Sequence, residues 1–158
     1  MRQFKSEGGK FRLIVCGERF GKTADLFDAA EKEFQEDIIH FGYANLDSYN
    51  TLLGQSDIVI STANHEFFGI SVLEAIHAGA FPLLPKRLSY PELIPPQFHA
   101  EVFYQGRPDL VQKLHQLSSD LQNCKKVQEG LRKNAQAYSW SALIGQYDQE
   151  ITAPIQIS

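Results

Sequence analysis

Along the first two thirds of the chain, short apolar runs alternate with stretches whose apolar positions recur at helical spacing. Residues 11–16 (FRLIVC), 37–41 (DIIHF), 57–61 (DIVIS) and 81–84 (FPLL) are bounded by glycines or charges, and at four to six residues they are too short for buried helices. They read as buried strands. Helices are expected between them, at 23–34, at 46–53 with Asp47 at or near the N-cap, and at 69–78, where Gly79 ends the pattern. Beyond the fourth run, the pattern predicts a helical turn at 90–94 and a last short strand at 102–104. An amphipathic helix follows at 108–121, with Leu110, Leu114 and Leu117 on one face, then two more helices at 124–137 and 139–151. Residues 152–158 lose their periodicity and read as a tail, and 2–7 read as the end of a helix stopped by Gly8 and Gly9. The expected organisation is therefore the end of an upstream helix and a linker at 1–10, one domain at 11–151, and a tail.

Strands alternating with helices imply right-handed βαβ units: an α/β class with a Rossmann-like parallel sheet, helices on both faces and a helical C-terminus. Ligands bind beyond the carboxyl ends of the strands in that architecture. The loops at 17–22, 42–46, 62–68 and 85–90 are accordingly expected to converge on one crevice.

Composition narrows the classes. With 158 residues, 43% of them hydrophobic and 22% charged, the chain suits one globular domain. A net charge of −4 and a pI near 5.7 give the chain as a whole no electrostatic footprint for nucleic acid. Cys16 and Cys124 lie far apart without CxxC spacing, which fits reduced thiols. No apolar run spans a bilayer and residues 1–10 lack a signal-peptide core, so a cytoplasmic protein with no membrane partner is expected.

The densest chemistry lies at 61–92, STANHEFFGISVLEAIHAGAFPLLPKRLSYPE. Glu66 and Glu74 straddle the start of the helix at 69–78. Unpaired N–H groups and the positive end of the macrodipole favour an anion there, phosphate above all. Gly69 lets a ligand approach the backbone, and Ser71 can hydrogen-bond a phosphate. Glu74 would repel a phosphate, so it is expected to accept hydrogen bonds from hydroxyls such as those of a ribose, with Glu66 facing another hydroxylated part of the ligand. His65 lies on the same loop. Lys86 and Arg87 are candidates to neutralise a diphosphate. Phe67 is expected to anchor in the core, whereas Phe68 is left open. Three weaker signals sit beside these. The loop CGERFGKT at 16–23 has three residues between its glycines where a Walker A loop needs four, so a plain βα turn is favoured, though Gly17 can still admit a ligand to the strand end. His65-Glu66 lacks the second histidine of HExxH, so no metal site is expected. GIS at 69–71 is not a serine-nucleophile elbow.

Glu66, seven residues and Glu74, within EFFGISVLEAIHAGAFPLL, resemble the E-x7-E signature of retaining GT-B glycosyltransferases of family four. More narrowly, DIVISTANHEFFGISVLEAIHAGAFPLLPKRLSYPELIP together with SWSAL at 139–143 resembles the tRNA-queuosine mannosyltransferase branch of that family, and the likeness covers about residues 11–150. The resemblance implies the C-terminal, donor-binding half of a two-domain enzyme, with an N-terminal acceptor-binding domain not represented here. It implies a nucleotide-sugar donor, most closely GDP-mannose, whose mannose is transferred without a metal or other cofactor to queuosine in tRNA as the nucleotide leaves. Glu66 would be the catalytic residue, holding hydroxyls of the donor sugar. The backbone of Phe68, Gly69 and Ile70 would meet sugar and diphosphate, Glu74 the ribose, and Gly42 and Tyr43 the base, with Gly17, His65, Ser71 and Lys86 completing the donor set. The family's cationic R-x4-K clamp, with a central strand before it, is expected upstream of this sequence, and neither Arg19 nor Lys22 takes its place. Two rival readings stand beside this one, a P-loop-like phosphotransferase built on 17–23 and a non-catalytic Rossmann-like nucleotide-binding module.

Overall fold

The computed structural model describes residues 1–17 and 24–152. Its elements follow the alternation closely. They are α1 (Arg2–Ser6), β1 (Leu13–Cys16), α2 (Ala24–Phe34), β2 (Ile38–Gly42), α3 (Leu46–Gly54), β3 (Ile58–Ile60), α4 (Ile70–Ala78), β4 (Phe81–Pro85), α5 (Tyr90–Leu93), α6 (His99–Val102), β5 (Phe103–Tyr104), α7 (Gly106–Asp120), α8 (Lys125–Gln136) and α9 (Trp140–Thr152). Two 3-10 turns, Pro96–Phe98 and Leu121–Cys124, precede α6 and α8. Neither α6 nor the turn before it shows in the local pattern.

Every strand pairing is parallel, as βαβ connections require. The strands nonetheless fall into two sheets among the described residues, β1–β2 and β3–β4–β5, rather than one. In the first, Ile14 lies beside His40 and Cys16 beside Gly42, with a register shift between Leu13 and Ile14. In the second, Ile58 lies beside Phe81 and Leu84 beside Phe103. Among the described residues only β4 has a neighbour on both sides, and all five of its residues are buried, as are the two of β5. That burial explains the continuous apolar sequence FPLLP, because a central parallel strand is covered on both faces. By contrast, β1 and β3 remain half-buried.

The main core gathers around β4. Leu83, Leu84, Tyr90 and Val102 are fully enclosed, joined by Val72 and Ile76 from α4, Val111, Leu114 and Leu117 from α7, and Leu131 and Ala135 from α8. Leu110 packs at the margin of this cluster, so the inward face of α7 is centred on 111, 114 and 117. α1 is built into the same core through Phe4, and Arg2 and Lys5 pair with Glu33 and Asp37. The N-cap of α3 is Asn45, whose Oδ1 accepts from the amide of Ser48, and Asp47 sits in the first turn instead. At the other end, α9 buries no residue and leaves Trp140, Ile144, Tyr147 and Ile151 exposed along one side. No described helix is long and apolar enough to cross a membrane.

Candidate functional site

α4 begins where the chain leaves β3 and turns sharply. Gly69 takes φ +87°, a left-handed conformation that glycine adopts freely, and a Cβ there would stand 3.0 Å from Leu93 Cδ1 and 3.2 Å from Tyr90 Cε1. Conformation and contact both demand glycine. Gly69→Ala is expected to cost about 2 kcal/mol, the left-handed penalty together with the crowding against Tyr90 and Leu93, and a urea titration would read it as a lowered midpoint at unchanged slope.

The carboxylate of Glu66 folds back onto this turn, and its Oε1 accepts hydrogen bonds from the amides of Phe67 at 3.1 Å and Gly69 at 3.0 Å. It therefore caps the approach to α4. The amides of Val72 and Leu73 bond to the carbonyl of Gly69, while those of Ile70 and Ser71 have no acceptor among the described residues. These two donors, at the positive end of α4, remain open to an anion. Ile70 and Ser71 are both exposed beside them.

Glu74 lies one turn into α4, exposed, with its Oε2 accepting a 2.7 Å hydrogen bond from the hydroxyl of Tyr49 on α3. Burial, then the Glu74 hydrogen bond and charge, push the Tyr49 phenol far above its ordinary range, so it stays protonated and donating at neutral pH. That bond also links the two halves of the strand array, since α3 follows β2 and α4 follows β3. Local spacing does not reveal Tyr49, because the partners are 25 residues apart.

The loops at the carboxyl ends of the strands are tied in pairs. After β1 and β2, the amide of Gly17 bonds to the carbonyl of Gly42, which brings two of the expected donor residues together. Tyr43 stands next to them, 70% exposed. After β3 and β4, Arg87 grips the neighbouring loop, with Nε and Nη2 donating to the carbonyl of Ala63 and Nη2 also to Asn64 Oδ1. Its acceptors are neutral, so its charge is kept at the site while it holds the segment carrying His65 and Glu66. Lys86, just before it, is exposed. Below this loop, Ser61 Oγ bonds Tyr90 Oη, and Tyr104 donates its hydroxyl to the carbonyl of Ser61, both at 2.7 Å. Burial raises the Tyr104 phenol, so this brace also stays protonated. Tyr49, Tyr90 and Tyr104 escape a local reading of the sequence, as does the grip of Arg87 on the neighbouring loop, because each acts on a distant partner.

Phe67 departs from expectation. It is 99% exposed rather than anchored in the core, because the Glu66 cap and the left-handed Gly69 turn the backbone so that this side chain faces outward. Phe68, half exposed, instead packs edge-on against Tyr138 just beyond α8, with ring centroids 5.8 Å apart. The glycine-bounded loop at 17–23 lies outside the described residues beyond Gly17.

Comparison with known proteins bears on this arrangement. A family model described as glycosyl transferases group 1 matches residues 1–137. Over 105 residues the chain is 35% identical to a tRNA-queuosine alpha-mannosyltransferase of Drosophila melanogaster, a match covering 66% of this chain and 27% of that protein. The chain thus spans about a quarter of the length of this curated relative. Among solved structures, the catalytic domain of cholesterol-alpha-glucosyltransferase from Helicobacter pylori superposes with a TM-score of 0.64 at 16% identity, over 78% of each chain. Sucrose-phosphate synthase from Thermosynechococcus elongatus gives 0.66 at 15% identity, over 83% of this chain and 35% of that one. At such identities the two structures speak for the shared α/β fold.

Proposed function

The chain belongs to the group 1 glycosyl transferases, and from that premise we propose that it is the donor-binding half of a retaining glycosyltransferase, which takes mannose from GDP-mannose and delivers it to queuosine in tRNA. One observation carries the reading. Two carboxylates flank the N-terminus of α4, one capping the turn and the other held out by Tyr49, around two amides that are unpaired among the described residues.

A nucleotide-sugar has the matching layout, with a diphosphate between two hydroxyl-rich groups. The amides of Ile70 and Ser71 would receive the diphosphate, assisted by the helix dipole and by the charge of Lys86. Glu74 would accept from the ribose hydroxyls, pre-oriented by the Tyr49 phenol. Glu66 would hold hydroxyls of the sugar, with its other oxygen free while Oε1 remains on the backbone. Gly42 and Tyr43 suit the base, since an exposed aromatic ring beside a glycine offers a flat stacking face. In this reading the donor phosphate itself helps deprotonate the acceptor hydroxyl on the face that the nucleotide leaves. The protein contributes position and charge stabilisation. Mannose and the tRNA acceptor rest on the likeness to the Drosophila enzyme, the guanine base on the family resemblance of residues 57–95, and a cytoplasmic setting on the lack of CxxC spacing between Cys16 and Cys124. A partner domain that holds the acceptor would complete the site.

Calorimetric titration of the chain with GDP-mannose, UDP-glucose and ATP with magnesium tests the proposal. GDP-mannose is expected to bind best. Preferential binding of ATP would overturn the reading in favour of a phosphotransferase, and preference for UDP-glucose would keep the fold of the reaction while replacing its donor.

A further inference from the structure

Although the chain as a whole is acidic, one helix is not. In its 12 residues, α8 carries Lys125, Lys126, Arg132 and Lys133 against the single carboxylate of Glu129, whereas the whole chain has 15 cations against 19 carboxylates. At about 100° per residue all five of these side chains, together with Gln136, fall within one arc of roughly 120°. All six are exposed, while Val127, Gln128, Leu131, Asn134 and Ala135 take the opposite, covered side. Among the described residues none of the four cations forms an ion pair.

The placement of α8 gives the charge a direction. Gln128 Nε2 donates to the carbonyl of Gly79 at the C-terminal end of α4, Asn134 Nδ2 donates to the carbonyl of Leu93, and Tyr138 packs on Phe68 beside the N-terminal end of α4. α8 therefore runs antiparallel to α4. Its cationic side chains, Lys125 to Lys133, form a track about 12 Å long whose Arg132–Lys133 end leads to the Glu66 loop. A solvated helix face ordinarily interleaves both signs, whereas this one carries four cations against one carboxylate, more positive charge than the diphosphate of a nucleotide-sugar would neutralise.

We infer that the outer face of α8 is a docking surface for the phosphate backbone of an RNA acceptor, with Lys125, Lys126, Arg132 and Lys133 steering the strand toward the Glu66–Glu74 site. This rests on the RNA-acceptor reading above, and charge complementarity commits it to a polyanion with more phosphates than the donor carries. Contacts of this kind give affinity without sequence preference and fall steeply with salt.

The test is fluorescence anisotropy of a labelled tRNA transcript against the full chain across a salt series. Lys126→Glu with Lys133→Glu is compared with Lys10→Glu with Lys32→Glu, a pair that changes net charge equally on other elements. The α8 pair is expected to weaken tRNA binding by about tenfold or more and to lower the slope of log affinity on log salt by about 1.5. GDP-mannose affinity should stay unchanged, and the control pair should lose much less tRNA affinity. Equal losses in both pairs would overturn the α8 surface while leaving an RNA acceptor in place. Absence of tRNA binding by the unaltered chain, with GDP-mannose still bound, would overturn the surface and spare both the donor site and an RNA acceptor held by the partner domain. Binding to phosphatidylserine-containing vesicles that the α8 pair abolishes, with tRNA unaffected, would reassign the face to a membrane.

Discussion

Glu74→Ala is expected to weaken GDP-mannose binding by about 100-fold or more while leaving the chain folded. A carboxylate accepting from two ribose hydroxyls forms charge-assisted hydrogen bonds, each contributing about 1.5–3 kcal/mol when both partners are otherwise desolvated. Glu74 is exposed, and its one hydrogen-bond partner among the described residues is Tyr49, so its removal takes away little packing. The cost to folding is the partly buried Tyr49 hydroxyl left without an acceptor, about 1 kcal/mol. Tyr49→Phe separates the two roles. It leaves the carboxylate in place but unbraced, so affinity should fall only several-fold, through loss of orientation. Titration calorimetry on both variants reads the difference. A Glu74→Ala chain that binds GDP-mannose as the unaltered one does would remove the ribose from this end of α4, and with it the reading of the site.

The second large effect concerns stability. Tyr90 is fully enclosed, and its ring lies against Gly69 while its hydroxyl meets Ser61. Tyr90→Ala is expected to cost about 3–5 kcal/mol, since a large ring leaves a cavity that a close-packed core refills poorly. That is a large fraction of the stability of an ordinary domain. Tyr90→Phe should cost only about 1 kcal/mol, for the hydrogen bond alone. Urea unfolding of both distinguishes packing from polar bracing. A Tyr90→Ala chain within about 1 kcal/mol of the unaltered one would show that the core collapses around the loss. Because this ring supports the turn at Gly69, the same substitution should also loosen the two open amides of α4.

What could be read beforehand follows from how locally each feature is encoded. The run FPLL marks β4 because a strand covered on both faces has no polar side, and Gly69 and Gly79 bracket α4 because both adopt positive φ. Glu66, Gly69 and Glu74 share one short segment, so their spacing alone suggests a site. Phe67 misleads because an aromatic beside apolar neighbours ordinarily packs inward, and only the backbone turn held by Glu66 sends it out. The role of Tyr49 and the loop contact of Arg87 are invisible for the opposite reason, since their partners lie 25 and 24 residues away and neither helical spacing nor turn chemistry predicts such pairings. The cationic face of α8 is concealed by averaging, as the acidic remainder of the chain masks it in any total. The separation into two sheets is equally non-local, because the order of strands is a property of how βαβ units are laid side by side.

That separation distributes cohesion unevenly. The principal core is built on β3, β4 and β5 with α4, α7 and α8, whereas the half formed by β1, α2, β2 and α3 contributes Phe34 and Leu52 outside that cluster. Resistance to opening follows buried apolar contact, so this half should breathe in sub-global excursions that leave α4 and its two amides in place. In a nucleotide-sugar site divided in this way, the end that suits the base would be the yielding jaw and the end that suits the diphosphate and sugar the fixed one. Closure on the donor would then be a matter of quieting one side, with the reacting centre held still throughout.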